Sequence, residues 1–509
     1  MSKNDYTGHP DARRPKGNPL AWLNLLLLAV IVLACNYIGC HEYARKDLTG
    51  EEQRFSISER TRNVLQSERI QQRETPVRII FAFKRSTPNY ARMRYLLEEY
   101  VRYGNGKVEV EFFDPMRQPN RAREISQIYG IDFNQNLCVV DARKDCTVPI
   151  KTFEEQQGDR QHVRIRPGTA FVKYETLPDE TRRAVALVMD EVVCGALTEA
   201  VEGQMRHMCA VEGKGGVSRD DQKLLELIGD ITNSLNIQLS WVDVANVDKL
   251  PDDAEGLLIV SPSSDFTEKE MDVVREFWER EGRNSVFVAL NPSNPEKLPY
   301  LYRFLREQGV RPNADRVLLR DRSRAYFDIS AVFPRGLNCT KSFWNGTTHV
   351  EGQCMSLTLE HADESEANMR KLTVFPLLMT TNEYYGETRL ELNPTFTPRE
   401  DREGPLCLAA AVTRGNPKYP NDMSTLMVLG STDMLLRENA RAEQRDYLYS
   451  LWSWMCARPE YAGKSANHDM TVKIDLNRHS RSMLETLTLV VMPLLALLVA
   501  LIIWNTRRH

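Results

Sequence analysis

Two long apolar segments, one near each end of the chain, constrain the fold more than any other feature of the sequence. Residues 20–40 read LAWLNLLLLAVIVLACNYIGC and residues 487–504 read LTLVVMPLLALLVALIIW, and neither contains a charged residue. At about 1.5 Å per residue, each helix is long enough to cross a hydrocarbon core of roughly 30 Å. Pro493 is compatible with a kinked helix in lipid. The sequence therefore predicts two transmembrane helices.

The charges that flank these apolar segments predict their orientation. Arg13, Arg14 and Lys16 precede the first segment, and two arginines follow the second. Because basic residues favour the cytoplasmic side, both termini are expected in the cytoplasm and the body outside it. The predicted topology is that of a two-pass membrane protein. A cleaved or lipidated signal ending at Cys35 stays open as an alternative.

The composition of the body limits its partners. The mean hydropathy of the whole chain is −0.43, which excludes a permease with many spans. The net charge of the chain is −4, and the two ends are basic, so the body between them is acidic. An acidic body without a large basic cluster argues against nucleic acid as a partner.

Alternating strand and helix patterns predict two α/β domains in the body. The first shows a β-α-β-α-β order, which predicts a small domain with a mostly parallel sheet. The second repeats strand–loop–helix units, which predicts a doubly wound sheet. The predicted order of segments is cytoplasmic tail 1–19, transmembrane helix 20–40, polar stalk 41–75, small α/β domain 76–185, larger α/β domain 186–456, stalk 457–486, transmembrane helix 487–504 and cytoplasmic tail 505–509.

A glycine-rich turn follows the first strand of the second domain. Its residues are Gly213, Lys214, Gly215 and Gly216. A nucleotide-binding loop needs G-x-x-x-x-G-K-[ST], so that backbone amides and the lysine converge on phosphates. Val217 follows the glycines where that motif requires a lysine, so we expect a turn at the carboxyl edge of the sheet. It is nevertheless the candidate ligand or interaction turn of this sequence.

The sequence contains no convincing catalytic or metal-binding set. The segment from Ser261 to Asp265 follows a strand but lacks the small residues of a nucleophile turn, and Thr267 with Glu270 predicts a helix N-cap instead. The histidines are scattered, and no third ligand lies near the closest His–Asp pair at 361–363. No catalytic residue, cofactor or metal is therefore predicted.

Two neighbouring carboxylates could be taken for a catalytic pair, but a position on the surface of a helix explains them. Asp190 and Glu191 are neighbours on a predicted helix, and we expect them to be solvated.

An exported body places its cysteines in an oxidising space, where disulfides form. The closest plausible pairs are Cys138 with Cys146 and Cys339 with Cys354.

Several motifs occur in a defined order over most of the chain. They are 55–61 (FSISERT), 95–100 (YLLEEY), 108–115 (VEVEFFDP), 257–262 (LLIVSP), 426–433 (LMVLGSTD) followed by Trp452, and 491–508. Together with the two apolar ends, this order resembles the gliding-motility-associated GldG family of ABC-transporter auxiliary proteins. The family often has a Gly-His-Gly-Glu-like turn, which the segment 212–216 replaces here, so a role for that turn is in doubt.

The resemblance implies both a fold and a function. The implied second domain is similar to the glutamine-amidotransferase-like fold, without its catalytic cysteine. The implied function is that of a non-enzymatic, membrane-anchored auxiliary component of an ABC-type transport system, in gliding motility or envelope export. The implied partners are ABC permease and ATPase subunits, the membrane and an envelope or polysaccharide ligand. Two alternatives stay open: an envelope hydrolase or carbohydrate-binding enzyme with a site assembled from distant residues, and a structural envelope scaffold.

Overall fold

We describe a computed structural model of the chain. The structure describes residues 19–41, 56–150, 161–176, 182–292, 297–320, 328–360, 372–389, 394–415, 423–466, 482–483 and 485–508. Most of the two predicted tails, parts of both predicted stalks and the His–Asp pair at 361–363 lie outside these residues. The chain divides into two compact units, one made of 1–55 with 471–509 and the other of 56–470, which we call the body.

Helices and strands follow one another along the described residues, and strands alone occupy the range from 310 to 429 apart from short 3-10 turns. The α-helices are α1 (Pro19–His41), α2 (Glu59–Gln66), α3 (Glu68–Gln71), α4 (Tyr90–Tyr103), α5 (Pro119–Tyr129), α6 (Met189–Glu202), α7 (Gln222–Ser234), α8 (Glu268–Glu279), α9 (Pro299–Glu307), α10 (Ala442–Met455) and α11 (Met492–Arg508). The strands are β1 (Val77–Ala82), β2 (Val108–Phe113), β3 (Leu137–Asp141), β4 (Val163–Pro167), β5 (Val172–Thr176), β6 (Arg182–Leu187), β7 (Arg206–Val211), β8 (Ile237–Val242), β9 (Ala254–Val260), β10 (Ser285–Ala289), β11 (Val310–Pro312), β12 (Arg316–Leu319), β13 (Asp328–Val332), β14 (Thr347–Glu351), β15 (Leu357–Leu359), β16 (Leu372–Thr380), β17 (Tyr384–Glu387), β18 (Arg402–Glu403), β19 (Cys407–Arg414) and β20 (Ser424–Leu429).

Helix α1 includes the whole first apolar segment, and helix α11 includes residues 492–504 of the second. Their large apolar side chains are exposed: Leu33 is 66% exposed and Leu497 is 60% exposed. Within the part of the chain that the structure describes, a search for a helix both long and apolar enough to cross a membrane finds none. The predicted transmembrane spans stay predictions.

The first sheet of the body has the order β2-β1-β3-β4. β1 and β2 are parallel, as the β-α-β pattern predicts. β3 runs antiparallel to both β1 and β4, so the prediction of a mostly parallel sheet is wrong. After α5 the chain returns to the carboxyl end of β2, where the rings of Phe113 and Phe133 lie 5.3 Å apart. A strand that starts at the carboxyl edge of its neighbours runs antiparallel to them.

One hydrophobic cluster spans both predicted domains. It contains Phe81 from β1, Leu97 from α4, Leu197 from α6 and Met208 from β7. The predicted boundary between residues 185 and 186 falls inside β6, which forms a hairpin with β5. The body is thus a mixed α/β unit with several sheets, and its division into two domains stays a prediction.

The largest sheet among the described residues has 11 strands, and the strands at one end of its order are parallel. Five neighbouring strands, in the order β8-β7-β9-β10-β20, are parallel. In chain order this is 2-1-3-4-5, the flavodoxin-like arrangement of doubly wound sheets. Beyond β20 the sheet continues with the antiparallel strands β19, β16, β13 and β14. The parallel part of the sheet has the topology that the strand–loop–helix pattern predicts.

The parallel strands are buried on both faces, as is typical of parallel sheets. In β10, Phe287 belongs to the cluster that includes residues of α7 and α10, while Val286 and Val288 belong to the cluster that includes residues of α8 and α9. The Phe287 ring lies 5.1 Å from the ring of Trp452, which is 1% exposed. Helices therefore cover the sheet on both sides and leave its strand ends accessible.

The contribution of this core can be measured with a truncation. Phe287→Ala is expected to lower the free energy of unfolding by about 3–5 kcal/mol, because it removes a fully buried ring and leaves a cavity. Tyr174→Ala is the matched control: its ring is 53% exposed, and the expected change is within about 0.5 kcal/mol. Urea unfolding of the detergent-solubilised chain measures both, and equal midpoints would contradict a core at this face.

Candidate functional site

The carboxyl ends of β7 and β9 meet where the strand order of the parallel sheet reverses. β8 follows β7 on one side, while β9 and β10 lie on the other. Doubly wound sheets bind their ligands in the crevice at such a switch point. The turn over 213–216 follows β7, and the segment from Ser261 follows β9. The structure therefore places the predicted glycine turn, which includes Gly213, at the switch point.

The glycine turn lies directly against the loop that follows β9. A Cβ atom at Gly215 would lie 2.1 Å from Ser263 Oγ, and one at Gly216 would lie 2.3 Å from the Val260 carbonyl oxygen. The amide of Ser263 donates a hydrogen bond to the carbonyl of Lys214 at 3.0 Å. Only glycine permits this close approach of the two backbones. The glycines thus serve packing between the two loops.

Lys214 is directed into the protein. Its Nζ atom donates to Glu270 Oε2 at 2.5 Å and lies 5.2 Å from the centroid of the Phe266 ring. The side chains of Lys214 and Glu270 are 12% and 8% exposed. Burial acts to raise the pKa of Glu270, but hydrogen bonds from Lys214 and from the Thr267 amide hold that pKa below its ordinary value. The lysine charge is therefore matched by a buried carboxylate within the site.

The loop after β9 caps two helices. The capping box predicted for Thr267 and Glu270 is confirmed at the start of α8. Asp265 Oδ2 accepts a hydrogen bond from the Tyr300 amide at 2.8 Å, at the start of α9. Ser261 has a positive φ of 52°, and its amide donates to the Ala289 carbonyl at 2.8 Å. These groups stabilise helix ends and the loop.

A cavity of about 380 Å³ lies on the antiparallel side of the sheet. Its polar lining includes Asn313, Ser356, Thr358 and Arg402, beside several apolar side chains. Asn313 Nδ2 donates to Ser356 Oγ at 2.8 Å and to Thr358 Oγ1 at 3.0 Å. Arg402 Nε lies 3.3 Å from the buried Asp315, while 39% of the Arg402 side chain is exposed. Amide, hydroxyl and guanidinium groups beside apolar walls suit a small polar organic ligand.

A hydrogen-bonded array that the sequence analysis missed lies toward the amino ends of β7 and β9. His207 Nε2 is 2.6 Å from Ser240 Oγ, and His207 Nδ1 is 3.0 Å from Asp253 Oδ2. These residues lie 33 and 46 positions from the histidine in sequence. They meet because β7 lies between β8 and β9. No local motif marks them, and only the order of the strands reveals their proximity.

The four cysteines of the predicted disulfides are free thiols in the structure. β3 directs Cys138 into the core, whereas the half-buried Cys146 lies in the loop after that strand. Cys354 is buried and its thiol donates to the Met355 carbonyl at 3.3 Å. Burial raises the pKa of Cys138 and Cys339 to about 12 and that of Cys146 to about 11. The predicted pairings therefore do not form in this structure.

Asp190 is buried, which corrects the expectation that it is solvated. Only 1% of the residue is exposed. It accepts hydrogen bonds from the Ser58 amide at 3.0 Å, the Thr61 hydroxyl at 3.0 Å and the Tyr100 hydroxyl at 2.9 Å. The start of α2 covers this face of α6, and the carboxylate holds the two elements together.

The first and last described segments of the body are bonded to each other. Asn63 Nδ2 donates to the Ala462 carbonyl at 2.8 Å. Arg60 forms an ion pair with Asp446 at 2.9 Å, and both side chains are nearly buried. The Ser465 amide donates to the same carboxylate at 2.7 Å. We call this contact between α2, α10 and residues 462–465 the junction.

Comparisons with known proteins give a partial match. A family model described as a domain of unknown function (DUF7088) matches residues 51–167. No curated protein matches the chain. The chain is similar to the solved structure "mmIFT52 N-terminal domain", at 13% identity and a TM-score of 0.35, covering 49% of this chain and 97% of that one.

Two further solved structures are similar to the chain. One is a putative ThuA-like protein from Bacteroides uniformis, at 9% identity and a TM-score of 0.32, covering 51% of this chain and 95% of that one. The other is the exo-beta-1,4-mannosidase Op5Man5 from an Opitutaceae bacterium, at 10% identity and a TM-score of 0.26, covering 53% of this chain and 39% of that one. Likeness at these scores assigns no activity to this chain.

The buried pair at the switch point is expected to be a strong local determinant of stability. Lys214→Met leaves the Glu270 carboxylate buried without its cation and is expected to cost about 3–5 kcal/mol. Lys214→Met with Glu270→Met replaces both charges by apolar groups and is expected to recover part of that loss. The control is Lys249→Met, because its exposed pair with Asp252 contributes at most about 1 kcal/mol. If urea unfolding shows the same loss of unfolding free energy for Lys214→Met as for the control, the buried pair is not a strong determinant of stability.

The same carboxylate predicts a pH dependence. The pKa of Glu270 is lowered in the folded protein, so its ionised form stabilises the fold above the unfolded pKa of about 4.3. That stability is lost as the pH falls through the folded pKa. The difference in unfolding free energy between wild type and Glu270→Gln is therefore expected to be largest at neutral pH and to vanish in acid. A difference that stays constant from neutral pH into acid would exclude this role.

Proposed function

We propose that the protein is a membrane-anchored auxiliary component of an ABC-type transport system, of the kind used in gliding motility or envelope export. Both termini lie in the cytoplasm, the two apolar segments cross the bacterial inner membrane, and the body lies outside the cytoplasm. The second part of the body has a glutamine-amidotransferase-like fold. Its partners are a separate ABC permease and ATPase.

The observation that carries this proposal is the junction. The bonds of Asn63 with Ala462 and of Arg60 with Asp446 hold the two ends of the body side by side. The first and last described segments of the body therefore lie side by side. This arrangement suits a body inserted between two membrane spans of opposite direction, because both spans start at the same membrane surface.

The apolar ends support the membrane part of the proposal. The exposed faces of α1 and α11 are rows of leucine, isoleucine and valine side chains. Exposed apolar surfaces of this extent are typical of membrane or protein contacts. The flanking arginines and lysines supply the orientation.

The body acts in this proposal by binding and positioning. At the switch point the glycine turn is packed on the neighbouring loop and Lys214 is neutralised by Glu270, an arrangement suited to a rigid surface. The cavity lined by Asn313 and Arg402 supports binding of a polar envelope or polysaccharide ligand. The acidic charge of the body disfavours nucleic acid. A structural envelope scaffold remains the second candidate if no transporter is found.

The association with a transporter is tested by affinity purification. Tagged full-length chain, extracted in mild detergent, is expected to retain an ABC permease and an ATPase, identified by mass spectrometry. Leu494→Arg with Leu498→Arg places two charges in the second apolar segment, each costing about 3 kcal/mol in a membrane span, and should abolish the recovery of both subunits with the chain. Met116→Arg, at a 72% exposed position of the body, is the matched control and should leave that recovery unchanged. Recovery of neither subunit from wild type would contradict the proposal.

A further inference from the structure

The Ser240–His207–Asp253 array has the connectivity of an acyl-transfer triad. A triad requires a hydroxyl bonded to one imidazole nitrogen and a carboxylate bonded to the other. His207 meets both conditions, at 2.6 Å to Ser240 Oγ and 3.0 Å to Asp253 Oδ2. Such triads are recognised by geometry and roles, because their order in sequence differs between folds.

The parallel register explains how three strands build this array. Cys209 lies opposite Ser240, so His207 is two residues earlier on the same face of β7. Ala254 pairs with His207 on the other side, and Asp253 directly precedes it. Side chains of one face alternate with period two along each strand, so the serine and the histidine emerge on the same side of the sheet. The order and register of the strands are enough to bring the three residues together.

The surroundings select serine as the nucleophile. Cys209 Sγ lies 3.4 Å from Ser240 Oγ and is the other nucleophilic atom beside the histidine. Burial raises the pKa of the Cys209 thiol, which keeps it protonated. The Ser240 hydroxyl, in contrast, contacts the basic nitrogen directly. In the tautomer that donates Nδ1–H to Asp253, Nε2 is free to take the hydroxyl proton.

We propose that Ser240, His207 and Asp253 form a hydrolytic site for acyl esters. Ser240 Oγ attacks the ester carbonyl carbon while its proton moves to His207 Nε2. The carbon–oxygen bond to the alcohol then breaks, and His207 returns the proton to the leaving alcohol. Water then gives a proton to the same nitrogen and attacks the carbonyl carbon of the acyl-serine. The bond from that carbon to Ser240 Oγ breaks, His207 returns the proton to Oγ, and the carboxylic acid leaves.

The exposure of the site defines the class of substrate. The Asp253 side chain is 75% exposed and that of His207 is 21% exposed, so the site lies at the protein surface. A surface site suits an ester displayed on a larger carrier. An ester fits better than an amide, because an alcohol leaves with less assistance than an amine does. This activity goes beyond the proposed transport role, and either can fail without the other.

A serine-directed fluorophosphonate tests the nucleophile. Full-length protein in detergent is treated with the probe, and the modified peptide is located by mass spectrometry. We expect one adduct on Ser240, formed on the order of 100-fold more slowly in His207→Gln and slowed also in Asp253→Asn. An adduct elsewhere, no adduct, or equal rates in wild type and His207→Gln would overturn the proposal. Mapping the adduct in wild type does not depend on whether Ser240→Ala folds.

Turnover is tested with p-nitrophenyl acetate. Wild type is expected to release p-nitrophenol in a burst followed by steady hydrolysis, and Ser240→Ala to lose both. His349→Gln is the matched control, because His349 Nδ1 also lies 2.7 Å from a carboxylate, that of Asp328, on the antiparallel side of the sheet. Its rate should equal that of wild type. A loss of equal size in the control would reveal hydrolysis by surface histidines and overturn the proposal.

Discussion

The requirement to bury both faces of the parallel strands organises the whole body. Alternate residues of β10 enter different hydrophobic clusters, so neither face of the sheet is left to water. Helices must therefore cover both sides, with α7 and α10 on one face and α8 and α9 on the other. The ends of the strands are the remaining places where polar groups can gather. The glycine turn lies at the carboxyl end of β7, and His207 lies near its amino end.

Buried charges are placed where separate segments of the chain have to be held together. Asp190 binds the start of α2 to α6, and Glu270 binds the turn after β7 to the start of α8. Arg458 and Glu202 form a further ion pair in which both side chains are almost fully buried. Removing one partner of such a pair leaves an uncompensated charge in a poorly solvated place. These pairs therefore specify which segments meet, in addition to any stability that they contribute.

The parts of the fold that follow local patterns could be predicted from the sequence. The apolar runs at 256–260, 285–290 and 424–430 predict strands, and the structure has β9, β10 and β20 there within a few residues. Thr267 with Glu270 predicts the start of α8. The direction of β3 could not be predicted, because it depends on where the chain re-enters the sheet after α5. The closeness of backbones that requires Gly216 is likewise a tertiary effect.

The candidate sites also combine features that the sequence predicts with features that depend on the tertiary structure. The position of the glycine turn followed from the order of strands and helices, but its partner did not, since Lys214 and Glu270 are 56 residues apart. Cys138 and Cys146 are close in sequence, yet β3 turns the first into the core. Ser240 stands in an ordinary strand pattern, and its importance depends on the neighbour that β7 supplies. Spacing in sequence is a poor guide when neighbouring strands are joined by helices.

The junction has a mechanical consequence. Because Asn63 and Ala462 hold the two ends of the body together, a pull on either end is borne first by these few side-chain and backbone bonds. The hydrogen-bond ladder of the large sheet lies outside that load path. A pull that separates the two ends therefore loads the junction before it loads the strands of the sheet.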